Sequence, residues 1–311
     1  MKETSRAVQF ESFGGPATLN VREVPVPQTG PGQIRIRVTA AGLNPMDWYM
    51  TSDAETAARF GLSLPCGFGT DYAGIVDQVG DGVSGFVIGD RVYGGALSRA
   101  VADHVVVDVT GTIAVGGEAH RTPDGVDDRT AATLAIAGRT AAAALAVVHP
   151  APGETVLIGG AGGGVGVFAV QLARIAGARV IGTGSAASAD ALRALGAEPV
   201  AYGDGLVDRI RALAPAGVDA VMDLHGTDTA QAARELGVPD RHITTIAAQV
   251  DGITPANGAN AAPGALEEIA DLVATGQLRV PIAATYPVGQ IRRAVELQAG
   301  RHVHGKVVID L

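Results

Sequence analysis

Thr155-Val156-Leu157-Ile158-Gly159-Gly160-Ala161-Gly162-Gly163-Gly164-Val165-Gly166 is the stretch on which the fold turns. A short apolar run meets a cluster of glycines, and an apolar-periodic segment (Val167, Val170, Leu172, Ile175) follows at once. That order spells a strand, a tight turn and the start of a helix. Glycines let a backbone turn sharply and approach a pyrophosphate, and the first turn of a helix presents N–H groups to it. The spelling departs from G-x-G-x-x-G, with glycines at 160, 163 and 166, and a chain with 43 Gly forms glycine clusters by chance. Context decides the matter: Ala178-Arg179-Val180-Ile181-Gly182 falls where a strand–helix–strand unit needs its next strand. The stretch reads as a dinucleotide-binding turn, which points to redox chemistry.

Outward from the turn, strands and helices alternate: strand 155–159, helix 164–176, strand 178–183, helix 188–195, strand 198–202, helix 205–214, strand 218–224, a short helix near 229–236 and strand 242–247. This alternation specifies an α/β fold with a doubly wound parallel sheet of Rossmann type. Residues 5–125 differ. Runs such as 6–10, 33–38 and 73–79 are short strands, separated by turn signals such as Gly14-Gly15-Pro16, Gly30-Pro31-Gly32 and Gly80-Asp81-Gly82. In Gln33–Val38, Ile and Val alternate with Arg, which predicts one buried face and one wet face. The character changes near Pro123-Asp124-Gly125: Asp127 or Asp128 is placed to cap a helix through Ala131, Leu134 and Ile136, and another runs from Thr140 to Val148. After the alternating region come a helix over 266–275, a strand near 280–284, a helix over 291–298 and a last strand over 306–310. That strand is expected to return to the first, barrel-like domain. The predicted organisation is a β-rich domain of 1–125 plus 277–311, interrupted by a dinucleotide-binding domain of 126–276, with a cleft between them.

The chain has 311 residues, enough for two domains with a core each, and a formal net charge of −9 without long runs of one sign. Nucleic acid and anionic membranes are poor partners for such a surface. One cysteine, Cys66, excludes an intramolecular disulfide and a multi-cysteine zinc site. The start Met1-Lys2-Glu3-Thr4-Ser5-Arg6 lacks an apolar targeting core, and no apolar run reaches membrane-spanning length, so the expectation is a soluble cytoplasmic protein.

Several segments, in order, resemble the medium-chain dehydrogenase/reductase superfamily, in particular its zinc-free quinone oxidoreductase branch. They are Ala41-Gly42-Leu43-Asn44-Pro45-Met46-Asp47-Trp48, Gly69-Thr70-Asp71-Tyr72-Ala73-Gly74-Ile75-Val76, Gly85-Phe86-Val87-Ile88-Gly89-Asp90-Arg91-Val92-Tyr93-Gly94, Gly138-Arg139-Thr140-Ala141, the glycine turn, and Gly305-Lys306-Val307-Val308. The resemblance implies that the β-rich domain is GroES-like and that the protein is a homodimer. Zinc-dependent relatives carry Cys within the segment aligned with Asn44–Asp47 and Gly-His-Glu at the segment aligned with Gly69-Thr70-Asp71. Here those places hold neither Cys nor His. Asp47, Asp71 and Cys66 make a poor tetrahedral set, so no metal is expected.

By the same resemblance Asn44 lies near the nicotinamide and hydrogen-bonds substrate or ribose, and Tyr49 stands close to the substrate as proton donor or pocket lining. Asp47 more often stabilises the local turn. Trp48 and Tyr72 read as core packing, and His225 as a surface-loop histidine near the cofactor's path. Gly160, Gly163, Gly164, Val165 and Gly166 are the candidates for the diphosphate. Thr140, Leu224, His225, Ile246 and Ala247 are those for the nicotinamide half. An NAD site places Asp or Glu after the second strand. The stretch Gly182-Thr183-Gly184-Ser185-Ala186-Ala187-Ser188-Ala189 has none, and Gly184, Ser185 and Ser188 lie where a 2′-phosphate would, which favours NADP(H). Relatives often place a Lys near Ser188–Ala189. None is present, and Arg179, Arg193 or Arg301 are the substitutes in sequence; Tyr202 resembles a tyrosine beside the adenosine phosphate. Residues 51–62 match nothing and are expected either to border the substrate through Phe60 and Leu62 or to form an external helix. The activity implied is NADPH-dependent, zinc-independent reduction of a quinone or an α,β-unsaturated carbonyl, with a pathway-specific enoyl reductase and an NADPH-binding sensor as alternatives.

Overall fold

The computed structural model describes residues 4–300 and 303–311. In chain order the first elements are β1 (Thr4–Phe10), β2 (Asn20–Pro25), β3 (Gln33–Gly42), α1 (Pro45–Tyr49), α2 (Ala54–Arg59), β4 (Cys66–Gly67), β5 (Asp71–Val79), β6 (Arg91–Gly95), β7 (His104–Asp108), β8 (Glu118–Arg121) and α3 (Asp128–Ala131). Then follow α4 (Ala135–Val148), β9 (Thr155–Gly159), α5 (Gly166–Ile175), β10 (Arg179–Gly184), α6 (Ala189–Leu195), β11 (Glu198–Ala201), α7 (Leu206–Leu213), β12 (Ala220–Asp223), α8 (Asp228–Glu235), β13 (Ile243–Thr245), β14 (Thr254–Pro255) and α9 (Ala265–Ala274). β15 (Ile282–Pro287), α10 (Ile291–Ala299) and β16 (Lys306–Asp310) close the chain. No helix among the described residues is long and apolar enough to cross a membrane.

The contacts divide the chain into two compact units, residues 1–136 with 282–311, and residues 137–281. Unit 1 carries a three-stranded sheet, β2-β1-β4, and a seven-stranded sheet, β15-β16-β3-β5-β6-β8, with β7 also paired to β3. The last strand returns to this sheet as expected: β16 runs antiparallel to β3, with Val308 opposite Gly42. On β3, Ile34, Ile36 and Val38 face the core, but the opposite face is not uniformly wet. Arg35 is buried there against Asp77, with Nε donating to Oδ1 over 2.8 Å.

The first boundary lies 11 residues beyond the sequence expectation, after residue 136 in place of 125. Tertiary bonds explain it. Asp127 caps α3 by accepting from Thr130 N–H, while Asp128 accepts from Arg91 and from Thr39 Oγ1, tying the helix to unit 1. Ile136 N–H then donates to Asp71 at 3.1 Å. The helical break falls at 132–134, and α4 runs unbroken through Gly138, where a Cβ would lie 3.2 Å from the Ile269 side chain. At the second boundary Gln171 of α5 clamps Arg279 from both sides, its amide donating to the Arg279 carbonyl and accepting from the Arg279 N–H. Residues 277–281 therefore stay with unit 2.

Unit 2 is the doubly wound sheet, in the order β11-β10-β9-β12-β13-β14 with every pair parallel. Its centre is apolar on both faces, as parallel strands require: Leu157, Ile181, Val221 and Ile243 are buried on one face and Val156, Ile158, Val180 and Met222 on the other. Strand order reverses between β9 and β12, so the carboxyl ends of these two strands mark the switch point where such sheets bind ligands. β14 appears in no sequence pattern. It is an edge strand containing Pro255, held partly by Thr244 Oγ1 donating to the Thr254 carbonyl over 2.8 Å.

Candidate functional site

The glycine turn leaves the carboxyl end of β9. Gly160 takes φ +68°, a conformation that favours glycine, and its N–H donates to Thr183 Oγ1 over 3.0 Å. Gly163 N–H donates to the Gly160 carbonyl, and Val167 N–H to the Gly163 carbonyl, so the turn leads directly into α5. A Cβ at Gly166 would lie 2.2 Å from the Gly160 oxygen and 2.5 Å from the Ala161 oxygen, which makes this glycine the condition for the turn to fold back on its helix. A Cβ at Gly163 meets only the Gly160 oxygen, at 3.3 Å. Of the amides at 160–166 expected to face a diphosphate, that of Gly160 is held by Thr183 of β10 and that of Gly163 by the Gly160 carbonyl. Gly164, Val165 and Gly166 remain, at the helix start, where amides lack intrahelical acceptors.

Beside the turn runs the loop after β12, and a built Cβ on Gly160 would come within 3.0 Å of His225 Cβ. Asp223, which sequence reading passed over, organises this loop. Its Oδ1 accepts from His225 and Gly226 N–H at 3.2 and 3.1 Å, and its Oδ2 from Thr229 and Ala230 N–H at 2.9 and 3.0 Å. The available signal was a carboxylate closing an apolar strand just before a Gly-Thr-Asp-Thr turn. His225 is exposed, as expected, Leu224 is half-buried, Ile246 N–H bonds the Asp223 carbonyl, and Ala247 is exposed. Thr140 sits on α4 against Gly258, whose Cβ would lie 3.0 Å from Thr140 Oγ1.

At the end of β10, Ser188 does not face a ligand. It is 1% exposed, and its hydroxyl donates to the Ser185 carbonyl over 2.8 Å, closing the turn beneath Gly184. Ser185 is half-buried, and Tyr202 is exposed on the loop after β11. Two of the cations considered from sequence are committed elsewhere. Arg179 starts β10, five residues before the strand's carboxyl end at Gly184, and forks onto Glu198 at 2.7 and 2.8 Å. Arg193 pairs with Asp190, and Arg301 lies outside the described residues. A fourth cation, missed in sequence, is Arg209, whose donors are likewise engaged, on the loop after β11. Its guanidinium donates to the carbonyls of Ala201, Tyr202, Gly203 and Asp204, and Ala201 is the register partner of Gly184. Only the curvature of the loop brings these carbonyls to one side chain, and no local pattern encodes it. A tight glycine turn at the switch point of a parallel sheet fits a dinucleotide.

Unit 1 holds a second constellation, where the adjacent strands β16, β3 and β5 share one end. Asn44 follows β3 and caps α1, with Pro45 in the first helical position and Asp47 Oδ2 accepting Asn44 N–H over 2.7 Å. Asp47 Oδ1 takes a hydrogen bond from Thr70 Oγ1, also 2.7 Å. Asn44 Nδ2 donates to Asp71 Oδ2 at 2.9 Å, and Lys306 Nζ donates to Asn44 Oδ1 at 2.6 Å and to the Leu43 carbonyl at 3.1 Å. Lys306 Nζ also lies 3.9 Å from Asp71 Oδ2. All five side chains are buried. Burial pushes the Asp47 carboxyl up to about 7 and that of Asp71 to about 6, and pulls the Lys306 ammonium below its ordinary value. Asp47 thus holds the turn, as expected, while Thr70 and Lys306 were quoted in sequence only as motif letters and Asp71 also only as a poor metal ligand. A zinc ion does not fit here: the cluster offers two carboxylates without Cys or His, and an ammonium stands on the amide oxygen.

Tyr49 ends α1, 38% exposed, its ring 4.1 Å from that of Trp48. Trp48 packs on the core around Phe10 and Leu43, and Tyr72 is fully buried with its hydroxyl donating to the Glu118 carbonyl, so both are core residues as expected. Residues 54–59 form α2, capped by Asp53, with Phe60 39% exposed just after it.

The pattern of the alcohol dehydrogenase GroES-like domain matches residues 30–187, and that of the zinc-binding dehydrogenase family matches residues 164–266. Human quinone oxidoreductase is 38% identical over 189 residues, covering 57% of this chain and 52% of that protein. The chain spans about half the length of the curated relatives it matches, 52% for the first of them. Among solved structures, the quinone oxidoreductase from Coxiella burnetii is similar with a TM-score of 0.86 at 28% identity, covering 99% of both chains. CurK enoyl reductase gives a TM-score of 0.85 at 24% identity, covering 98% of this chain and 99% of that one, a likeness of fold alone.

Proposed function

We propose that this chain, which belongs to the medium-chain dehydrogenase/reductase superfamily in its quinone oxidoreductase branch, is an NADPH-dependent, zinc-independent reductase of a quinone or an α,β-unsaturated carbonyl. The observation that carries the reading is the turn of residues 160–166 at the switch point of an all-parallel sheet, next to a β10 end without a carboxylate. Bound NADPH would supply the hydride. The amides of Gly164, Val165 and Gly166 would hold its diphosphate. Gly184, Ser185, Tyr202 and Arg209 would take the adenosine 2′-phosphate end, and Thr140, Leu224, His225, Ile246 and Ala247 the nicotinamide half.

A quinone or enone that accepts hydride spreads the added electron pair over its conjugated oxygen. Hydrogen-bond donors then suffice where a simple ketone calls for a Lewis acid. Asn44 is the donor proposed here. A proton from solvent or from the Tyr49 hydroxyl completes the two-electron reduction. The test is NADPH oxidation with a panel of quinones and enones, NADH run in parallel, and calorimetry with each coenzyme. Turnover of several small quinones supports the reading. Activity confined to one carrier-tethered enone would favour a pathway-specific enoyl reductase. Tight NADPH binding with no acceptor turned over would favour a sensor, and absence of binding heat would remove the premise.

A further inference from the structure

We propose that Lys306 is a positioning residue that locks the Asn44 amide with its N–H side available for the hydride acceptor. The inference rests on the proposed reductase reading. A carboxamide can be turned over without changing its shape, so an asparagine at a reaction centre is a donor or an acceptor according to its neighbours. Here each neighbour, in its charged form, has a single role. An ammonium can only donate, and Lys306 Nζ lies 2.6 Å from Asn44 Oδ1. An ionised carboxylate can only accept, and Asp71 Oδ2 lies 2.9 Å from Asn44 Nδ2. Turning the amide over would set N–H against ammonium and oxygen against carboxylate. Asp71 is itself fixed, since its second oxygen accepts Ile136 N–H at 3.1 Å.

The locked orientation leaves the second N–H of Asn44 Nδ2 outside these two bonds. An N–H is the group that steadies an oxygen gaining negative charge, and an ammonium on the same amide's oxygen polarises it into a stronger donor. The acceptors favoured are therefore carbonyls and quinones, whose reduced oxygen carries the charge. Lys306 acts through Asn44 and does not itself touch the acceptor.

The experiment compares wild type, Lys306→Met, Lys306→Arg, Asn44→Ala and the Lys306→Met/Asn44→Ala double variant. Asn44→Ala is expected to lower kcat about 100-fold and Lys306→Met about tenfold, with NADPH affinity of Lys306→Met within about twofold of wild type. The double variant is expected to be no slower than Asn44→Ala alone, with partial recovery in Lys306→Arg. A second readout is independent of turnover: the Asn44 side-chain NH2 signals, assigned by their absence in Asn44→Ala, should exchange with solvent faster in Lys306→Met while the backbone amides of β3 and β5 keep their protection. Should Lys306→Met not fold, Lys306→Met/Asp71→Asn removes both charges and is read the same way. Unchanged exchange, unchanged kcat, or additive losses in the double variant would overturn the positioning role. A wild-type protein that reduces no acceptor sinks the reductase reading and with it the catalytic part of the proposal, and the exchange measurement then tests the lock alone.

Discussion

Two glycines of the turn, three residues apart, are predicted to respond oppositely to the same methyl group. At Gly166 a Cβ would stand 2.2 Å from the Gly160 oxygen and 2.5 Å from the Ala161 oxygen, and both obstacles are backbone. Ordinary carbon–oxygen contact is about 3.3 Å, so one wall must retreat by roughly an ångström. Overpacking of this kind costs about 3 kcal/mol, the upper end of its usual range, because no side chain can swing aside. That corresponds to a fall in Tm of roughly 6–12 °C for a unit of this size. At Gly163 the same methyl meets one atom at 3.3 Å, and the residue is not in the left-handed region. Gly163→Ala should fold as well as wild type or gain up to ~1 kcal/mol from a less flexible unfolded chain. Its methyl would nevertheless stand on the face proposed for the diphosphate and should weaken NADPH binding by at least about tenfold, near 1.4 kcal/mol. Thermal melts and fluorescence titration with NADPH separate the two effects. If Gly163→Ala binds NADPH like wild type, the diphosphate does not lie on this turn. If Gly166→Ala melts like wild type, the close approach of turn and helix is wrong.

Arg209→Met should raise the Kd for NADPH about tenfold while leaving NADH unchanged, by calorimetry at one ionic strength; equal losses for both coenzymes would make Arg209 a loop clamp alone. Asp223→Ala leaves four N–H groups without their acceptor, two of them on the buried residues Thr229 and Ala230. It should lower stability by about 3 kcal/mol in urea titrations, and an unchanged midpoint would contradict the bonding described. The pH dependence follows from Asp47 and Asp71, whose carboxyls burial raises to about 7 and about 6. Folded values above the unfolded value of about 3.9 mean that their stabilising contribution is complete below pH ~4 and is lost as pH rises to about 7. Asp47→Asn should flatten the decline in urea midpoint between those limits, and an identical decline in variant and wild type would refute the assignment.

The sheet of unit 2 was legible because its central strands are buried and its helices half-buried. Apolar runs such as 155–159 and 178–183 mark the first, and periodic segments such as 188–195 the second, and their ends fall within two residues of those observed. What escaped was whatever depends on distant partners. The segment 126–136 reads as the opening of the second domain, but Arg91, Thr39 and Asp71 hold it in the first. β14 is two residues long with a proline in it and exists because β13 offers it a partner. Arg35 looks like a surface charge until Asp77, 42 residues away, is placed beside it. Within the site, the serines of the β10 turn were read by composition, and Ser188 proved to be an internal hydroxyl. Arg209 and Lys306 carried no local mark: one bonds carbonyls of the loop before its helix, the other an asparagine 262 residues upstream.

The cluster around Lys306 is hard to account for as a stabilising device. Three ionisable side chains without solvent contact incur a desolvation cost that their mutual attraction offsets only partly, and an apolar replacement of similar volume would often be as stable. The shifts of Asp47 and Asp71 toward neutrality record that cost. Mere closure of the sheet end does not require it, since β3, β5 and β16 are already joined by backbone hydrogen bonds. What the charges do achieve is directional: an ammonium on one side of Asn44 and a carboxylate on the other leave the amide one orientation. The two segments that meet here are those aligned with the zinc-ligand segments of metal-dependent relatives. On this directional view, removing Lys306 and Asp71 together should preserve or raise stability while slowing hydride transfer, an outcome that a purely structural salt bridge does not predict.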